Sequence, residues 1–336
     1  MPINLDKKSL PPYLRRKKIV VQGESIREID AVGDGRKNTI YAVVTSRQRL
    51  IVKQAHSRVQ QTRERIYLDR KRVVHEMACI GVLAEIVPPD FVPAPVLLDR
   101  SNFILVTTAP AREALLWENE LLRGRVDLQI AAQCGELLGT VHSDTANSRD
   151  LRETFKDTKP FEQLRIAPAY GRIAEAYPEY RKVIEDQSKE LLKGSRVMVL
   201  GDLRPRNVWV NKGSIYLIDF ATAHFGHPAF DLAFYCRDLC LKAIINSPQK
   251  AAYLEAINVF WLSYFVVARY AGQPKVERSA VRNFGCLLLA SALHPPPDMD
   301  PPTSDLTRRI AQNLLVTELE KIEDITEFIN RTLIDG

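Results

Sequence analysis

Cysteine is scarce in this sequence and follows no ligand pattern. The 336 residues contain five cysteines, with no CxxC pair and no zinc-site spacing to histidine. The scatter argues against a zinc finger or a disulfide-stapled secreted domain, and it predicts reduced, buried thiols in a cytoplasmic protein. The five are Cys79, Cys134, Cys236, Cys240 and Cys286.

Long apolar segments are also missing. The longest mainly apolar stretch, from Ala251 to Ala268, contains Glu255 and Asn258, so a core helix explains it better than a membrane span. The first thirty residues lack the apolar core of a signal peptide. No GxSxG or HExxH motif is present, which argues against a serine hydrolase and a zinc protease. We expect no association with membranes.

The charge balance is basic without being extreme. The formal net charge is +6, and lysine and arginine are spread along the chain apart from short clusters near the N-terminus and at Arg63–Arg72. No basic motif is interleaved with aromatic residues, which argues against nucleic-acid binding. A site that handles phosphate groups would explain part of the positive balance equally well.

Residues 199–233 carry the most specific pattern in the chain. Asn207 follows Asp202 by five residues, and Asp219 follows Asn207 by twelve, at the end of the apolar strand pattern 214–218. Phosphoryl transfer needs one carboxylate to orient the attacking hydroxyl, and an amide oxygen and a second carboxylate to hold Mg²⁺. Asp202 is therefore the candidate base, and Asn207 and Asp219 are the candidate metal ligands. An ordinary polar turn followed by a strand is the alternative.

This segment resembles the group of aminoglycoside phosphotransferases, choline kinases and methylthioribose kinases. Their mark is an HGDxHxxN loop followed by a strand that ends in IDF or IDP, and here GDLRPRN precedes LIDF. Leu200 and Arg204 stand where the family usually has histidine. The resemblance implies an ATP-dependent, Mg²⁺-dependent phosphotransferase with a bilobal, protein-kinase-like fold.

Arg204 lies between the candidate base and a candidate metal ligand, so we count it among the catalytic candidates. A guanidinium there could stabilise negative charge on the transferred phosphoryl group, or it could pair with Asp219 when nucleotide is absent. A surface arginine whose stem packs on the loop is the alternative.

The N-terminal part of the sequence holds candidate nucleotide ligands. Gly33, Gly35 and Asn38 lie in a turn between two strand patterns, where glycines let backbone amides approach a phosphate. A plain hairpin turn is the alternative.

Lys53 lies inside the apolar strand LIVKQA. This position suits a phosphate-binding lysine, although an outward-facing strand lysine fits as well. Glu76 is the candidate partner of Lys53.

The choice of Glu76 rests on a second resemblance. The segments GDGRKNTIYAVV, LIVKQA and LDRKRVVHE are similar to the small lobe of methylthioribose kinases, whose helix carries a glutamate at the place of Glu76. Glu64 is the competing partner, and an exposed helix glutamate is the alternative for Glu76.

The order of strand and helix patterns predicts an α+β protein with a β-rich N-lobe and a mostly helical C-lobe. We expect an irregular N-terminal arm at 1–25, a nucleotide-binding N-lobe at 26–107, and a catalytic and substrate-binding C-lobe at 108–336. The N-lobe pattern has five strands and one long helix at 58–86. Helix patterns in the C-lobe cover 112–122, 126–143, 178–194, 228–246, 250–271 and 276–293, with two more after His294–Pro302.

Four further polar residues near the loop are expected to be structural. By the family resemblance, Asp231 accepts hydrogen bonds from the loop backbone, and His142 is a packed histidine. His224 and His227 follow Asp219 and fit either a substrate contact or a surface turn.

The sequence therefore predicts an ATP-dependent kinase that phosphorylates a hydroxyl group of a small polar metabolite. A sugar, an amino alcohol, an aminoglycoside-like compound and a methylthioribose-like compound all stay open as the acceptor, and nothing in the sequence indicates an oligomeric state. A nucleotide-binding pseudokinase that regulates a protein partner is the alternative, because the loop histidines are replaced. A protein kinase is disfavoured, because little chain separates Asp219 from Asp231 to form an activation loop.

Overall fold

The structure, a computed structural model, describes residues 3–60, 65–194, 196–269, 273–297, 299–316 and 321–335. The chain divides into two compact units. The first comprises residues 1–114 and the short segment 218–221, and the second comprises 115–217 and 222–336. Strands dominate the first unit and helices the second, so the predicted α+β class is confirmed.

The strands are short, and most lie early in the chain. In chain order they are β1 (Ile26–Ala31), β2 (Asn38–Thr45), β3 (Arg49–Ala55), β4 (Pro95–Asp99), β5 (Ile104–Thr108), β6 (Leu115–Leu116), β7 (Val197–Val199), β8 (Val208–Asn211), β9 (Ser214–Leu217) and β10 (His224–Gly226).

The helices follow a complementary distribution. In chain order they are α1 (Leu10–Arg16), α2 (Arg72–Ile86), α3 (Trp117–Leu122), α4 (Leu128–Asp144), α5 (Arg149–Thr154), α6 (Lys159–Phe161), a π-helix (Glu162–Gly171), α7 (Arg172–Ala176), α8 (Arg181–Lys193), α9 (Ala229–Ile245), α10 (Lys250–Val267), α11 (Gln273–Leu293), α12 (Pro301–Val316) and α13 (Ile322–Asp335). Single turns of 3₁₀-helix lie at Pro178–Tyr180, Pro205–Asn207 and Ser247–Gln249.

A five-stranded antiparallel sheet forms the first unit, in the order β1-β2-β3-β5-β4. The central strand β3 pairs on both sides, with Lys53 opposite Ile40 on β2 and opposite Leu105 on β5. Alternate residues of β3, Leu50 and Val52, are fully buried. This pairing fixes the register of Lys53, because a shift by one residue would turn its side chain to the other face.

The N-terminal segment is more ordered than predicted. Residues 1–25 were expected to be irregular, but they contain helix α1, whose Leu10, Tyr13 and Leu14 are buried in the core of the first unit. Apolar residues at i, i+3 and i+4 give the helix one apolar face, and Pro11 and Pro12 occupy its first turn, where a missing N–H costs nothing.

The long helix predicted at 58–86 is wrong in its first half, because α2 begins only at Arg72. The described residues before it, 58–60 and 65–71, are not helical, and Arg58 and Tyr67 form a β-bridge. Arg70 donates from Nε to the Ala55 carbonyl oxygen at 3.0 Å and from Nη2 to that of Asn102 at 3.1 Å. Helical spacing of the apolar residues did not reveal these long-range contacts. Glu64, the competing partner of Lys53, lies outside the described residues.

The second unit is mostly helical, with a three-stranded sheet β6-β8-β9 and a two-stranded sheet β10-β7. Its longest helices, α4, α9, α10 and α11, agree with helix patterns in the sequence. The segment from α5 to α7 was not predicted, and it includes the ten-residue π-helix. Within the described ranges, no helix combines the length and apolar character that a membrane span requires.

Candidate active site

Lys53 forms the centre of a buried charge cluster in the first unit. Its side chain is 8% exposed, and its Nζ donates to both carboxylate oxygens of Glu76, at 2.8 and 2.9 Å. The same Nζ donates to Oδ1 of Asp219 at 2.9 Å. Glu76 lies on α2 and is itself buried. The structure therefore brings together three of the residues that the sequence singled out.

The electrostatics of this cluster maintain the lysine charge. Burial on its own lowers the pKa of Lys53, but attraction from Asp219 and Glu76 outweighs burial and raises the pKa above its ordinary value. Burial raises the pKa of Glu76, and the Lys53 ammonium acts against that rise. A lysine held in this way presents a permanent positive charge, which suits contact with phosphate oxygens.

The turn between β1 and β2 contains the other candidate nucleotide ligands. Gly33 and Gly35 both have positive φ, 77° and 66°, so this turn conformation favours glycine. Asn38 is half-buried, and its Oδ1 accepts a hydrogen bond from Arg72 at 3.0 Å. The Arg72 guanidinium also donates to the backbone carbonyl oxygens of Lys37 and His56. Arg72 thus ties the end of the turn to the start of α2.

The Arg72 side chain is almost completely buried, and burial lowers the pKa of its guanidinium to about 10. Its contacts with backbone carbonyl oxygens compensate for the lost hydration. This role could not be predicted from the sequence, because Arg72 stands in a cluster of basic residues typical of a solvated face.

Asp219 follows strand β9, as predicted. The strand alternates between buried Ile215 and Leu217 and more exposed neighbours, and it pairs antiparallel with β8. Asp219 itself has φ of +68°, in the left-handed region, and its side chain is 35% exposed. That backbone conformation is unfavourable for most residues, but Asp and Asn tolerate it best among residues with a side chain.

The loop that carries Asp202 is anchored by Asp231 within the second unit. Asp231 lies in the first turn of α9, is completely buried, and accepts from the backbone N–H groups of Leu200 and Gly201 at 2.7 Å each. His142 Nε2 lies 3.3 Å from Oδ2 of Asp231, and its Nδ1 lies 2.8 Å from the Tyr264 hydroxyl. These contacts confirm the structural roles expected of Asp231 and His142.

Gly201 cannot be replaced without moving this loop. Its φ is +75°, and a Cβ at this position would lie 2.7 Å from Oγ1 and 2.8 Å from the carbonyl oxygen of Thr222. Both the backbone conformation and the close approach of Thr222 therefore require glycine directly before Asp202.

Asp202 lies between two guanidinium groups. Nη2 of Arg165 is 2.7 Å from Oδ2 of Asp202, and Nε of Arg204 is 3.1 Å from Oδ1. Arg165 also donates from Nε to the Gly201 carbonyl oxygen at 2.9 Å. The carboxylate is 7% exposed and the Arg204 side chain 20% exposed. Arg204 is therefore part of this cluster, and Asp202 is the carboxylate with which it pairs.

A third arginine joins the cluster through an aromatic ring. The guanidinium carbons of Arg237, Arg165 and Arg204 lie 4.6, 5.2 and 5.4 Å from the centroid of the Phe234 ring. Contact with the face of an aromatic ring stabilises cations that burial would otherwise destabilise. Phe234 thus holds three positive groups around one side of the loop.

Asn207 ends the short 3₁₀ turn that follows Arg204. Its Nδ2 donates to the backbone carbonyl oxygen of Asp202 at 2.9 Å, so the predicted proximity of the two residues is confirmed. The same hydrogen bond directs Oδ1 of Asn207 away from that carbonyl oxygen. Amide and carboxylate oxygens are ligands that Mg²⁺ accepts, and Mg²⁺ often uses only one or two protein ligands. The chemistry of Asn207 and Asp219 therefore fits Mg²⁺, although no cluster of three or more His, Cys, Asp or Glu side chains forms a metal site within the described residues.

Sequence reasoning missed Arg165 and Arg237. Arg165 lies on the π-helix, 37 positions before Asp202, and no local motif connects the two. Irregular helices of this kind occur frequently at functional sites. Arg237 did leave a signal, because the pair Arg237-Asp238 interrupts the apolar run of α9 three positions after Phe234.

The two histidines after Asp219 do not lie in a surface turn. Both are 1% exposed; His224 lies on β10 and stacks on Phe161 with ring centroids 4.1 Å apart. Burial, and after it the charge of Arg196, lowers the pKa of His227 to about 4. A carboxylate oxygen of Glu190 lies 3.4 Å from Nε2 of His227 and would act in the opposite direction. Because Glu190 is 41% exposed, water screens it, and burial dominates.

Comparison with known protein families gives a match over most of the chain. The model of the phosphotransferase enzyme family matches residues 28–272, which is well over half of the chain. No curated protein sequence gives a significant match. These findings confirm the resemblance that was predicted from the motifs.

Three solved structures illustrate the structural likeness. Amicoumacin kinase in complex with AMP-PNP, Ca²⁺ and Ami superposes with a TM-score of 0.61 at 13% identity, covering 96% of this chain and 97% of that one. Spectinomycin phosphotransferase in complex with ADP and spectinomycin gives 0.53 at 12% identity, with coverages of 98% and 100%. Choline kinase from Cryptosporidium parvum gives 0.52 at 15% identity, with coverages of 98% and 94%. At such low identity the likeness shows the fold alone, and it confirms the predicted kinase-like fold.

Proposed function

Since this chain belongs to the phosphotransferase enzyme family, we propose that it transfers the γ-phosphoryl group of ATP to a hydroxyl group of a small polar metabolite. The acceptor is one of the classes that the sequence leaves open: a sugar, an amino alcohol, an aminoglycoside-like or a methylthioribose-like compound. The observation that carries the proposal is the buried contact of Lys53 with both Glu76 and Asp219. A buried lysine with two carboxylate partners is the arrangement that phosphoryl transfer uses on the nucleotide side.

Each proposed role follows from the chemistry of a residue. Lys53, steadied by Glu76, contacts the phosphates of ATP, and the turn with Gly33, Gly35 and Asn38 contributes backbone amides to them. Asp219 and Asn207 would hold Mg²⁺, which neutralises charge on the phosphates when it is bound.

Asp202 is proposed to orient the acceptor hydroxyl and to accept its proton. A new bond then forms between the hydroxyl oxygen and the γ-phosphorus, the bond from that phosphorus to the β–γ bridging oxygen breaks, and ADP leaves. Arg165 and Arg204 position the Asp202 carboxylate, and the positive charge of Arg204 also suits the equatorial oxygens of the transferred group.

Transfer of labelled phosphate from [γ-³²P]ATP to a panel of hydroxyl compounds, with Mg²⁺ present, tests this proposal. We expect a labelled product with the wild-type protein and none above background with Asp202→Asn. Labelled product of equal amount from both proteins would contradict the role of Asp202. ATP hydrolysis without acceptor serves as the second readout, because it needs the nucleotide ligands but no acceptor.

A nucleotide-binding pseudokinase that regulates a protein partner is the second candidate. One observation favours it: both oxygens of Asp202 face guanidinium groups, which compete with a hydroxyl for the carboxylate. Calorimetry with Mg²⁺·ATP distinguishes the two candidates. Binding without hydrolysis or transfer to any acceptor favours the pseudokinase, and turnover favours the kinase.

A further inference from the structure

A polar pocket of about 610 Å³ lies in the second unit beside the Asp202 loop. Its walls come from α3, Arg204 and the 3₁₀ turn after it, the second half of α9, the start of α10 and the end of α11. Arg204 belongs both to this pocket and to the ion pair with Asp202, so the pocket adjoins the proposed base. Its volume suits a small metabolite.

The lining of this pocket carries an excess of positive charge. Among the described lining residues, four are permanent cations and two are carboxylates. The cations are Arg204, Arg206, Arg237 and Lys242, and the carboxylates are Glu118 and Asp238.

Both carboxylates are already engaged by cations of the same pocket. Nζ of Lys242 lies 3.1 Å from Oε1 of Glu118, and Nη2 of Arg237 lies 3.1 Å from Oδ1 of Asp238. Neither carboxylate is therefore available to attract a cationic ligand at full strength.

The remaining two cations are Arg204 and Arg206. Nε of Arg204 lies 3.1 Å from Oδ1 of Asp202, a carboxylate outside the lining that Arg165 contacts as well. Arg206 is exposed at the pocket wall. A ligand entering here meets more positive than negative charge, and like charges brought together in such a site are costly.

The titration behaviour of Asp238 agrees with this charge balance. Burial works to raise the pKa of Asp238, but Arg237, Arg204 and Lys242 outweigh it and keep the pKa below its usual range. Arg237, which is pressed against Phe234, has its pKa lowered by burial. The field in the pocket is positive enough to overcome the desolvation of a buried carboxyl group.

We propose that this pocket binds an anionic group of the acceptor, a carboxylate or a phosphate ester, so that the substrate is a hydroxylated anion. The inference rests on the proposed kinase function, since the pocket is proposed to hold the acceptor of that reaction. It disfavours polycationic aminoglycosides and quaternary or primary amino alcohols among the acceptors left open. Guanidinium groups suit both anions, because their paired N–H donors match carboxylate and phosphate oxygens.

Equilibrium binding with compounds that share one carbon skeleton tests the charge preference. Glucose, glucosamine, glucuronate and glucose 6-phosphate form one set; ethylene glycol, ethanolamine, glycolate and 2-hydroxyethyl phosphate form another. Calorimetry is done with Mg²⁺ and AMP-PNP present, so that the nucleotide site is filled. We expect at least one anionic member to bind at least tenfold more tightly than its neutral and cationic counterparts, and the carboxylate and phosphate members separate the two sources of the anion.

Charge reversal at the pocket wall supplies the matched control. Arg206→Glu is expected to weaken anion binding at least tenfold, and Arg206→Lys to restore most of it. Arg309→Glu changes the same charge at an exposed position of α12 outside the pocket lining and is expected to alter the dissociation constant by less than twofold. Equal losses in Arg206→Glu and Arg309→Glu would overturn the proposal, because they would indicate a general effect of net charge.

The same compounds, tested as phosphate acceptors, keep the two proposals apart. Phosphorylation of a cationic or neutral member in preference to the anionic ones would overturn the anionic pocket and leave the kinase function intact. Anion binding that depends on Arg206, without phosphoryl transfer to any compound, would support the pocket and count against the kinase. No preference for anions in either set would overturn the inference outright.

Discussion

The two clusters of charged side chains balance their charges in opposite ways. In the first unit, one ammonium group, that of Lys53, is shared by the two carboxylates of Glu76 and Asp219. In the second unit, one carboxylate, that of Asp202, is shared by the two guanidinium groups of Arg165 and Arg204. The first cluster has an excess of negative charge, and the second has an excess of positive charge.

This difference shows what each cluster can bind without reorganisation. An excess carboxylate suits a divalent cation that accompanies phosphate groups, while the buried lysine suits the phosphates themselves. An excess of guanidinium suits an anion, such as the transferred phosphoryl group or an anionic acceptor. The predictions below test this contrast from the largest expected effect to the smallest.

Removing the shared carboxylate of the second cluster has the largest expected effect. Asp202→Asn keeps the shape of the side chain but removes the proposed proton acceptor, so kcat should fall by about 10²–10⁴-fold. Steady-state kinetics with Mg²⁺·ATP measures this fall, and the thermal midpoint and the nucleotide affinity serve as controls for folding. Near-normal turnover in a folded Asp202→Asn protein would exclude the role.

The two proposed metal ligands should differ in strength. Asp219→Ala is expected to weaken Mg²⁺·ATP binding by about a hundredfold and Asn207→Ala by about tenfold, because a carboxylate carries a full charge and an amide only a dipole. Calorimetry of both variants measures the order. Asp219→Asn is the matched variant, since asparagine tolerates the left-handed backbone at this position. Equal losses, or the reverse order, would count against the assignment.

Mild acid should destabilise the second unit, because it contains the buried histidine His227. The native pKa of His227 is about 4, below the unfolded value of about 6.5, so the unfolded state binds the proton first and stability falls as pH falls between these values. We expect a loss of about 2 kcal/mol from the free energy of unfolding between pH 7 and pH 5. All three tryptophans, Trp117, Trp209 and Trp261, lie in the second unit, so intrinsic fluorescence reports its unfolding.

The control for this prediction is His227→Asn, which removes the titrating group but keeps an acceptor for the Ala229 N–H. The variant should lose about 2 kcal/mol less than the wild type over the same pH range. Parallel pH curves for wild type and His227→Asn would show that the depressed pKa of His227 is absent.

Asp99 in the first unit should respond only to stronger acid. Burial alone would raise its pKa, but hydrogen bonds from Lys17 and Asn102 outweigh burial and hold the pKa at about 2. The contribution of this carboxylate to the free energy of unfolding should therefore be lost only below about pH 4.

The arginine on the π-helix should act on catalysis by positioning Asp202. Arg165→Ala is expected to lower kcat by about tenfold with little change in nucleotide affinity, and Arg165→Lys to recover only part, because lysine cannot contact Asp202 and the Gly201 carbonyl oxygen with one planar group. Arg181→Ala is the matched control, since Arg181 also donates from Nε to a backbone carbonyl oxygen but is exposed. Unchanged kcat in Arg165→Ala would assign Arg165 a packing role only.

The smallest expected effect is that of restoring the family residue in the loop. Arg204→His should change kcat by a few-fold, whereas Arg204→Ala, which removes the charge next to Asp202, should lower it by up to about tenfold. Measuring kcat and KM for ATP in both variants tests the role. Wild-type values in both would leave Arg204 without a part in catalysis.

The residues of the first cluster were easier to predict from the sequence than those of the second, because their signals lie in neighbouring residues. Lys53 stands inside an apolar strand, and Asp219 stands directly after one, so both patterns are visible within ten residues. Even so, the helix that carries Glu76 was predicted too long. Just before this helix, Arg70 contacts the carbonyl oxygens of Ala55 and Asn102, and the spacing of apolar residues does not reveal such contacts.

By itself, the sequence determined the family, the α+β class, and the proximity of Asp202 and Asn207 in one loop, because these depend on short-range spacing and on periodic burial. Only the tertiary structure decided the partners of Asp202. Arg165 reaches it from a π-helix, and Arg237 joins through the ring of Phe234. Such contacts connect residues that are far apart in the chain, and each is fixed by packing and by the need to compensate buried charge. For Arg165, no local pattern of residue types contains that information.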